Sequence, residues 1–136
     1  AAHRGALEAS GYTVAVMGTG IERVYPQSNH VLAAVIRRDG TLVSQFPPSA
    51  PPTRTSFLLR NHVIAALSDA SLIMDGAERS GSRYELERAV EYGRPALAWA
   101  PTLGRQHWIK ELVDGGSVHL VESVTEIREH LARSAS

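Results

Sequence analysis

The feature of this sequence that limits its fold most strongly is an alternation of segments. Short runs rich in Val, Ile and Leu alternate with longer amphipathic segments along the whole sequence. Such alternation is typical of a parallel β-sheet covered by helices on both faces. The runs are apolar almost throughout, which suits strands buried on both sides. The sequence therefore predicts an α/β fold with a doubly wound, mostly parallel sheet. The predicted strands are residues 13–17, 41–44, 71–75, 96–100 and 117–121, and the predicted helices are residues 29–38, 57–67, 82–92, 105–113 and 124–132, with residues 1–10 as the end of a further helix.

Length and residue content limit the class of protein. At 136 residues the chain suits one domain, so residues 1–136 are expected to form a single unit. Cysteine is absent, which excludes disulfides, thiolate metal sites and cysteine nucleophiles. The longest aliphatic run, Val31–Ile36, is far shorter than the ~20 residues of a membrane span. The chain begins at Ala1 without a signal sequence, so we expect a cytoplasmic protein of which this chain is a fragment.

Charge is balanced overall but uneven along the chain. The 14 basic and 14 acidic residues give a net charge of zero, so no general attraction to nucleic acid is expected. Residues 1–60 carry six Arg and three acidic residues, whereas residues 61–136 carry eight basic and eleven acidic residues. A polyanion site should therefore be local and built mainly from the first half.

The loop after the first predicted strand contains Gly18-Thr19-Gly20 and leads to Asn29, where a helix should begin. In a parallel sheet, ligands bind beyond the carboxyl ends of the strands, and two glycines let the backbone approach an anion closely. The third glycine of a dinucleotide-binding fingerprint is absent, so we predict no nicotinamide or other cofactor. An ordinary tight turn remains the alternative.

The loop after the third predicted strand, Arg79-Ser80-Gly81-Ser82-Arg83, leads directly into a helix. Free N–H groups at a helix start can hold a phosphate, and the two Arg residues could add positive charge. The alternative is that Ser80 or Ser82 only caps the helix. A third segment, Arg60-Asn61, follows the proline-rich surface loop at residues 46–54 and could equally be a solvated helix end.

Metal binding and nucleophilic catalysis are not indicated. The six histidines show no ligand spacing, and we expect each to be structural or on the surface. No Ser-His-Asp order or pair of catalytic carboxylates is evident. Trp99 and Trp108 are expected in the core because they fall on a strand and on an apolar helix face.

Taken together and in register, these segments resemble the DNA processing protein A (DprA, also called Smf) family along essentially the entire chain. Ala1–Leu7 resembles the end of its Gly-Ile-Asp-x-x-Ala-His-x-Gly-Ala-Leu segment. Gly18-Thr19-Gly20 with Tyr25-Pro26 and Asn29 resembles its Gly-x-Gly…Tyr-Pro-x-x-Asn loop. Residues 44–48 resemble its Ser-Glu-Phe-Pro-Pro stretch, and residues 57–68 its Phe-x-x-Arg-Asn-Arg-Ile-Ile-x-x-Leu-Ser helix. Residues 78–82 and 89–94 resemble its Ser-Gly-Ser loop and its Ala-x-Glu-x-Gly-Arg close.

The resemblance implies an extended Rossmann-like domain of the wider group that also holds the LOG phosphoribohydrolases. It implies no catalysis, but binding of single-stranded DNA, loading of the recombinase RecA onto that DNA, and a homodimer, in DNA processing and natural transformation. Sugar-phosphate would contact the loops described above. The site residues expected on this basis are Gly18, Thr19, Gly20, Asn29, Arg60, Asn61, Arg79, Ser80, Gly81, Ser82 and Arg83.

The chain departs from the family pattern at several points. The family's first strand, with its Gly-Ser-Arg phosphate loop, should precede Ala1 and is absent from this sequence. His62 stands where the family usually has a second Arg, and Gln45 where it has Glu. Both changes alter charge or hydrogen bonding at the expected DNA pocket.

A third departure supports an alternative function. After Gly81-Ser82 the chain continues to Glu85, and this Gly-Ser-x-x-Glu pattern is similar to the Gly-Thr-x-x-Glu of the LOG enzymes, whose carboxylate assists cleavage of an N-glycosidic bond. The alternative is thus a LOG-like nucleotide-binding protein or nucleoside 5′-monophosphate phosphoribohydrolase with Glu85 as the catalytic residue. Against it, Arg79-Ser80 replaces the paired glycines that open the LOG motif, and Glu85 could simply pair with Arg88.

Overall fold

The computed structural model describes residues 1–134, which form alternating helices and strands. The chain divides into two compact units, Ala1–Arg60 and the part from Asn61 onward. All five predicted strands form, each one to two residues shorter than predicted, and every strand pair is parallel. The predicted parallel α/β class is therefore confirmed. None of the helices within residues 1–134 is long and apolar enough to cross a membrane.

The first unit is a small two-stranded parallel sheet with its connecting helix. Its elements are α1 (Ala2–Glu8), β1 (Val14–Val16), a short 3-10 helix (Gln27–Asn29), α2 (His30–Asp39), β2 (Thr41–Val43) and the first half of α3 (Arg54–Leu67). Strands β1 and β2 pair from Val14 with Thr41 to Val16 with Val43. Because the strands are parallel, the loops after Val16 and Val43 leave from the same edge of this sheet.

Helix α3 begins three residues before the predicted start. The backbone N–H of Ser56 donates to Thr53 Oγ1 over 2.9 Å, and the N–H of Thr53 donates to Ser56 Oγ over 3.0 Å. This reciprocal pair is a capping box with Ser in the third helical position. The box satisfies two backbone donors, which fixes the helix start directly after the proline-rich loop.

The second unit is a three-stranded parallel sheet, ordered β3 (Ser71–Ile73), β4 (Ala96–Trp99) and β5 (His119–Val121). Its helices are the rest of α3, α4 (Gly81–Glu91), α5 (Ala100–Leu103), α6 (His107–Asp114) and α7 (Val124–Ser134). The first three residues of β4 are buried because this strand lies between the other two. Leu86 of α4 and Trp108 and Ile109 of α6 pack into the same core.

Two local predictions for the second unit differ in outcome. The capping box at the start of α7 is present: Ser123 Oγ accepts from the N–H of Glu126 over 3.2 Å, and the Glu126 carboxylate accepts from the N–H of Glu122 over 3.0 Å. The predicted strand end at Ala100 is wrong, because α5 begins there. Pro101 lies in the first turn of that helix, where its missing N–H costs nothing.

Candidate functional site

A cavity of about 160 Å³ opens in the first unit at the carboxyl end of β1. Four of the predicted site residues line it: Gly18, Thr19, Asn29 and Arg60. Residues that we had not assigned to the site also line the cavity, and His3, Tyr25 and Phe57 are among them.

Arg60 is held at this edge by its surroundings. Its Nη1 donates to the carbonyl oxygen of Val16, the last residue of β1, over 2.9 Å. The guanidinium carbon lies 5.4 Å from the centroid of the Phe57 ring, which is a cation–π contact. The positive charge is therefore fixed beside the loop that follows β1, where a parallel sheet presents its ligands.

The Gly18–Gly20 loop is braced by the protein itself. The hydroxyl of Thr19 is buried and donates to the carbonyl of Arg23 over 2.6 Å, and Ser44 Oγ donates to the carbonyl of Thr19 over 2.6 Å. Ser56 Oγ donates to the carbonyl of Gly18 over 2.6 Å. These bonds tie the loop to β2 and α3, so its shape is set before any ligand arrives.

Packing within the protein leaves no room for a side chain at either glycine of this loop. A Cβ on Gly18 would lie 2.6 Å from the Phe57 ring, and one on Gly20 would lie 2.1 Å from the carbonyl oxygen of Pro47. The N–H of Gly20 is also occupied, since it donates to Ala50 over 3.0 Å. Close packing against the proline-rich loop is thus sufficient to explain why residue 20 is glycine. A role of Gly20 in anion binding stays a prediction.

His3 brings a titratable group into the cavity. Its Nδ1 lies 2.8 Å from the hydroxyl oxygen of Thr13, the residue before β1. Burial, followed by the positive charges of the amino terminus and of Arg60, lowers the pKa of the imidazole from its ordinary 6.5. Spacing in the sequence gave no sign that His3 and Arg60 line the same cavity, because they lie on helices far apart in the chain.

The second predicted anion site, the Ser80–Ser82 loop, lies in the second unit at the start of α4. Ser80 is the N-cap residue of α4, but its Oγ donates to the carbonyl of Ala77 over 2.5 Å, and Ser82 Oγ donates to the carbonyl of Asp75 over 3.0 Å. Within residues 1–134, the Ser80 side chain accepts no hydrogen bond from the first N–H groups of the helix, so the capping alternative holds for the position of Ser80 and not for its hydroxyl. The buried Asn61 supports the loop, since its Nδ2 donates to the carbonyl of Gly81 over 3.0 Å.

The two predicted Arg residues of this loop differ in their surroundings. Arg79 is exposed and has no hydrogen-bond or ion-pair partner within residues 1–134. Arg83 is engaged by two carboxylates, Glu87 at 2.9 Å and Glu78 at 3.5 Å. The hydrogen bond to Glu87 raises the pKa of the Arg83 guanidinium. An anion would have to compete with these two carboxylates for Arg83. Arg79 is therefore the better placed of the two Arg residues to bind a phosphate.

Glu85, the carboxylate of the alternative function, is half-buried on α4. The nearby Arg88 forms an ion pair with Glu91 at 2.5 Å and lies 4.9 Å from the centroid of the Tyr84 ring. His62 stands between two hydroxyls, Tyr84 Oη at 2.5 Å and Tyr92 Oη at 3.0 Å. His62 thus links α3 to α4 through Tyr84. At this position the family usually has Arg.

A larger cavity, about 860 Å³, opens at the opposite edge of the three-stranded sheet, at the amino ends of its strands. Arg94, His119 and His130 are among the residues that line it, and none of the predicted site residues does. Gly93 and Gly116, which end helices α4 and α6 with positive φ angles of 66° and 72°, lie at the same cavity. Helix carboxyl ends carry partial negative charge, so this edge is less suited to an anion. Within residues 1–134 no three His, Cys, Asp or Glu side chains are grouped to hold a metal ion.

Comparison with known proteins gives a consistent match. The model of the family described as DNA recombination-mediator protein A matches residues 1–132. Protein Smf of Escherichia coli (strain K12) is 36% identical over 136 residues, which cover 96% of this chain and 35% of that protein. DNA processing protein DprA of Streptococcus pneumoniae is 36% identical over 131 residues, which cover 90% of this chain and 46% of that protein. The chain therefore spans less than half the length of these relatives.

Two solved structures have the same fold. The X-ray structure of DprA from Streptococcus pneumoniae superposes with a TM-score of 0.82 and 32% identity, covering 94% of this chain and 46% of that one. A structure of DNA processing protein A from Helicobacter pylori, described by its single-stranded DNA binding mode, gives a TM-score of 0.73. At 23% identity over 89% of this chain and 56% of that one, the second similarity is evidence for the fold alone.

Proposed function

Because this chain belongs to the DNA recombination-mediator protein A family, we propose that it binds the sugar-phosphate backbone of single-stranded DNA and acts in DNA processing. Each unit contributes one contact site, the cavity at Arg60 and the Ser80–Ser82 loop. The choice of this ligand is motivated by the Helicobacter pylori structure of the same fold, which is described by its single-stranded DNA binding mode. The finer steps that the family resemblance implies belong to the same proposal: loading of RecA, a homodimer, a role in natural transformation and a cytoplasmic location.

The cavity at the carboxyl end of β1 carries the proposal. It brings Arg60, Asn29 and the Gly18-Thr19 pair together from separate parts of the sequence. A guanidinium held at 2.9 Å from the last carbonyl of a parallel strand is a preformed contact for a phosphate. The exposed Tyr25 ring, with its centroid 5.9 Å from that of Phe57, adds an aromatic face on which a base can stack.

The size of the cavity favours a polymer over a free nucleotide. Pockets that enclose whole small molecules measure about 300–1,000 Å³. At about 160 Å³ this cavity is smaller, and it suits one phosphate and part of a sugar from a strand that continues over the surface. At this cavity, the volume therefore favours a DNA strand over an enclosed nucleoside monophosphate.

Replacing Arg60 tests the proposal. We expect Arg60→Ala to weaken binding of a dT oligonucleotide about tenfold, because one charge-assisted contact of about 1.5 kcal/mol is lost. The measurement is fluorescence anisotropy at fixed salt. Arg60→Lys, which keeps the charge, should retain most of the affinity, and a thermal melt of each variant checks folding because Arg60 also bonds Val16.

The matched control is Arg94→Ala, because Arg94 lines the larger cavity, at the amino ends of the strands of the three-stranded sheet. This variant should bind like the unchanged protein. Loss of affinity in Arg94→Ala together with an unaffected Arg60→Ala would place the DNA elsewhere and refute the proposal. Chromatography of nucleoside 5′-monophosphates incubated with the protein tests the alternative: release of free base that disappears in Glu85→Gln would favour the LOG-like enzyme.

A further inference from the structure

His3 is the one ionisable side chain of the Arg60 cavity whose charge can change near neutral pH. Its ring lines the same cavity as Arg60 and Asn29. Nδ1 is engaged by the Thr13 hydroxyl at 2.8 Å, and Nε2 has no hydrogen-bond partner among residues 1–134. Nε2 is therefore the ring nitrogen left for a ligand.

The ring lies among apolar, neutral polar and positively charged groups. Arg60 is the charged side chain of the cavity that acts on it, and Tyr25 is a further titratable residue there. The lining residues from α2 and β2 are apolar: Leu32, Ala33, Ile36 and Leu42. Without a ligand, burial and the positive charge of Arg60 disfavour the imidazolium, and they lower the pKa of His3.

We propose that His3 is a proton-coupled phosphate contact: it takes up one proton from solvent as a DNA phosphodiester enters the cavity, so that the protein binds single-stranded DNA more tightly in mild acid. This inference rests on the proposed function and adds a pH-sensing residue to it.

The proton balance follows from the geometry. In the neutral ring one nitrogen carries a proton, and in the imidazolium both do. The Nδ1–H then donates to Thr13, and the Nε2–H is available to a phosphate oxygen. The incoming negative charge offsets the repulsion from Arg60, so the pKa of His3 rises on binding. The phosphodiester does not titrate near neutral pH, so the proton taken up is located on the protein.

The test is the pH dependence of dT oligonucleotide binding between pH 5.5 and 7.5, with thymine chosen because its ring does not titrate in this range. Affinity should rise as the pH falls, by about tenfold for each unit by which the pKa of His3 increases on binding. His3→Asn keeps a partner for Thr13 but cannot take up a proton. This variant should lose most of the gain in affinity between pH 7.5 and pH 5.5.

Two controls keep the outcomes distinct. His107→Asn removes an exposed histidine of the second unit and should keep the full pH dependence. An NMR titration of the His3 imidazole should give a pKa that increases when the oligonucleotide is added. Equal pH dependence in His3→Asn and the unchanged protein would overturn this inference while Arg60→Ala still binds weakly. Failure of the proposed function would instead appear as an Arg60→Ala variant with normal affinity.

Discussion

Adding one methyl group at Gly20 should destabilise the protein, whether or not DNA is present. The new Cβ would lie 2.1 Å from the carbonyl oxygen of Pro47 and 2.2 Å from that of Pro48. Both obstacles are backbone atoms, so no side-chain rotation relieves the clash and the loops must move apart. Overpacking costs about 1–3 kcal/mol, and loss of the hydrogen bond from Gly20 to Ala50 adds about 1 kcal/mol. We therefore expect Gly20→Ala to lose about 2–4 kcal/mol.

Urea unfolding, monitored by circular dichroism, measures this loss of stability. The Tm of the variant should be lower by about 10 °C. Gly5→Ala is the matched control, because Gly5 lies in α1 with nothing within 4 Å of the added Cβ. That substitution should be neutral or stabilise by up to about 1 kcal/mol through helix propensity. If Gly20→Ala unfolds like the unchanged protein while its DNA affinity falls, Gly20 serves the approach of a phosphate and our reasoning about packing is refuted.

Two further predictions concern stability alone. Ser123→Ala should cost about 1 kcal/mol in urea unfolding, because it removes the acceptor for the N–H of Glu126 at the start of α7; no change would mean that the capping box contributes nothing. Folding lowers the pKa of His3 from 6.5, so the unfolded chain binds this proton more readily than the folded protein does. The free energy of unfolding is therefore not reduced by His3 above pH 6.5, and it decreases as the pH falls through the folded pKa. Urea unfolding of His3→Asn should show a flatter pH profile in this window, and a profile as steep as that of the unchanged protein would contradict the assignment.

The parts of the fold that local patterns control could be predicted from the sequence. Five apolar runs became five parallel strands, and Ser123 with Glu126 marked the start of α7. The core position of Trp108 followed from its place on an apolar helix face. The start of α3 was missed although Thr53 and Ser56 carried the signal, because a Ser in the third helical position is a weaker cue than Glu.

The candidate site was predictable in its loops but not in its long-range contacts. Gly18 could be assigned because the carboxyl ends of parallel strands are where ligands bind, and Asn29 and Arg60 could be assigned because their segments resemble the family pattern. The contacts of Gly20 with Pro47 and Pro48 depend on how two distant loops pack, and no spacing rule reports that. The entry of His3 into the cavity likewise depends on tertiary packing. The pairing of Arg83 with Glu87, in contrast, joins positions i and i+4 of α4, a spacing that the sequence itself displays.

The most direct test of the central claim is the salt dependence of DNA binding by the unchanged protein and Arg60→Ala. Each phosphate neutralised on a single strand contributes about −0.7 to the slope of log affinity against log salt. We predict that the slope of Arg60→Ala is shallower by about this amount, with the protein still folded. Identical slopes for the two proteins would contradict the claim that Arg60 neutralises a phosphate in the cavity.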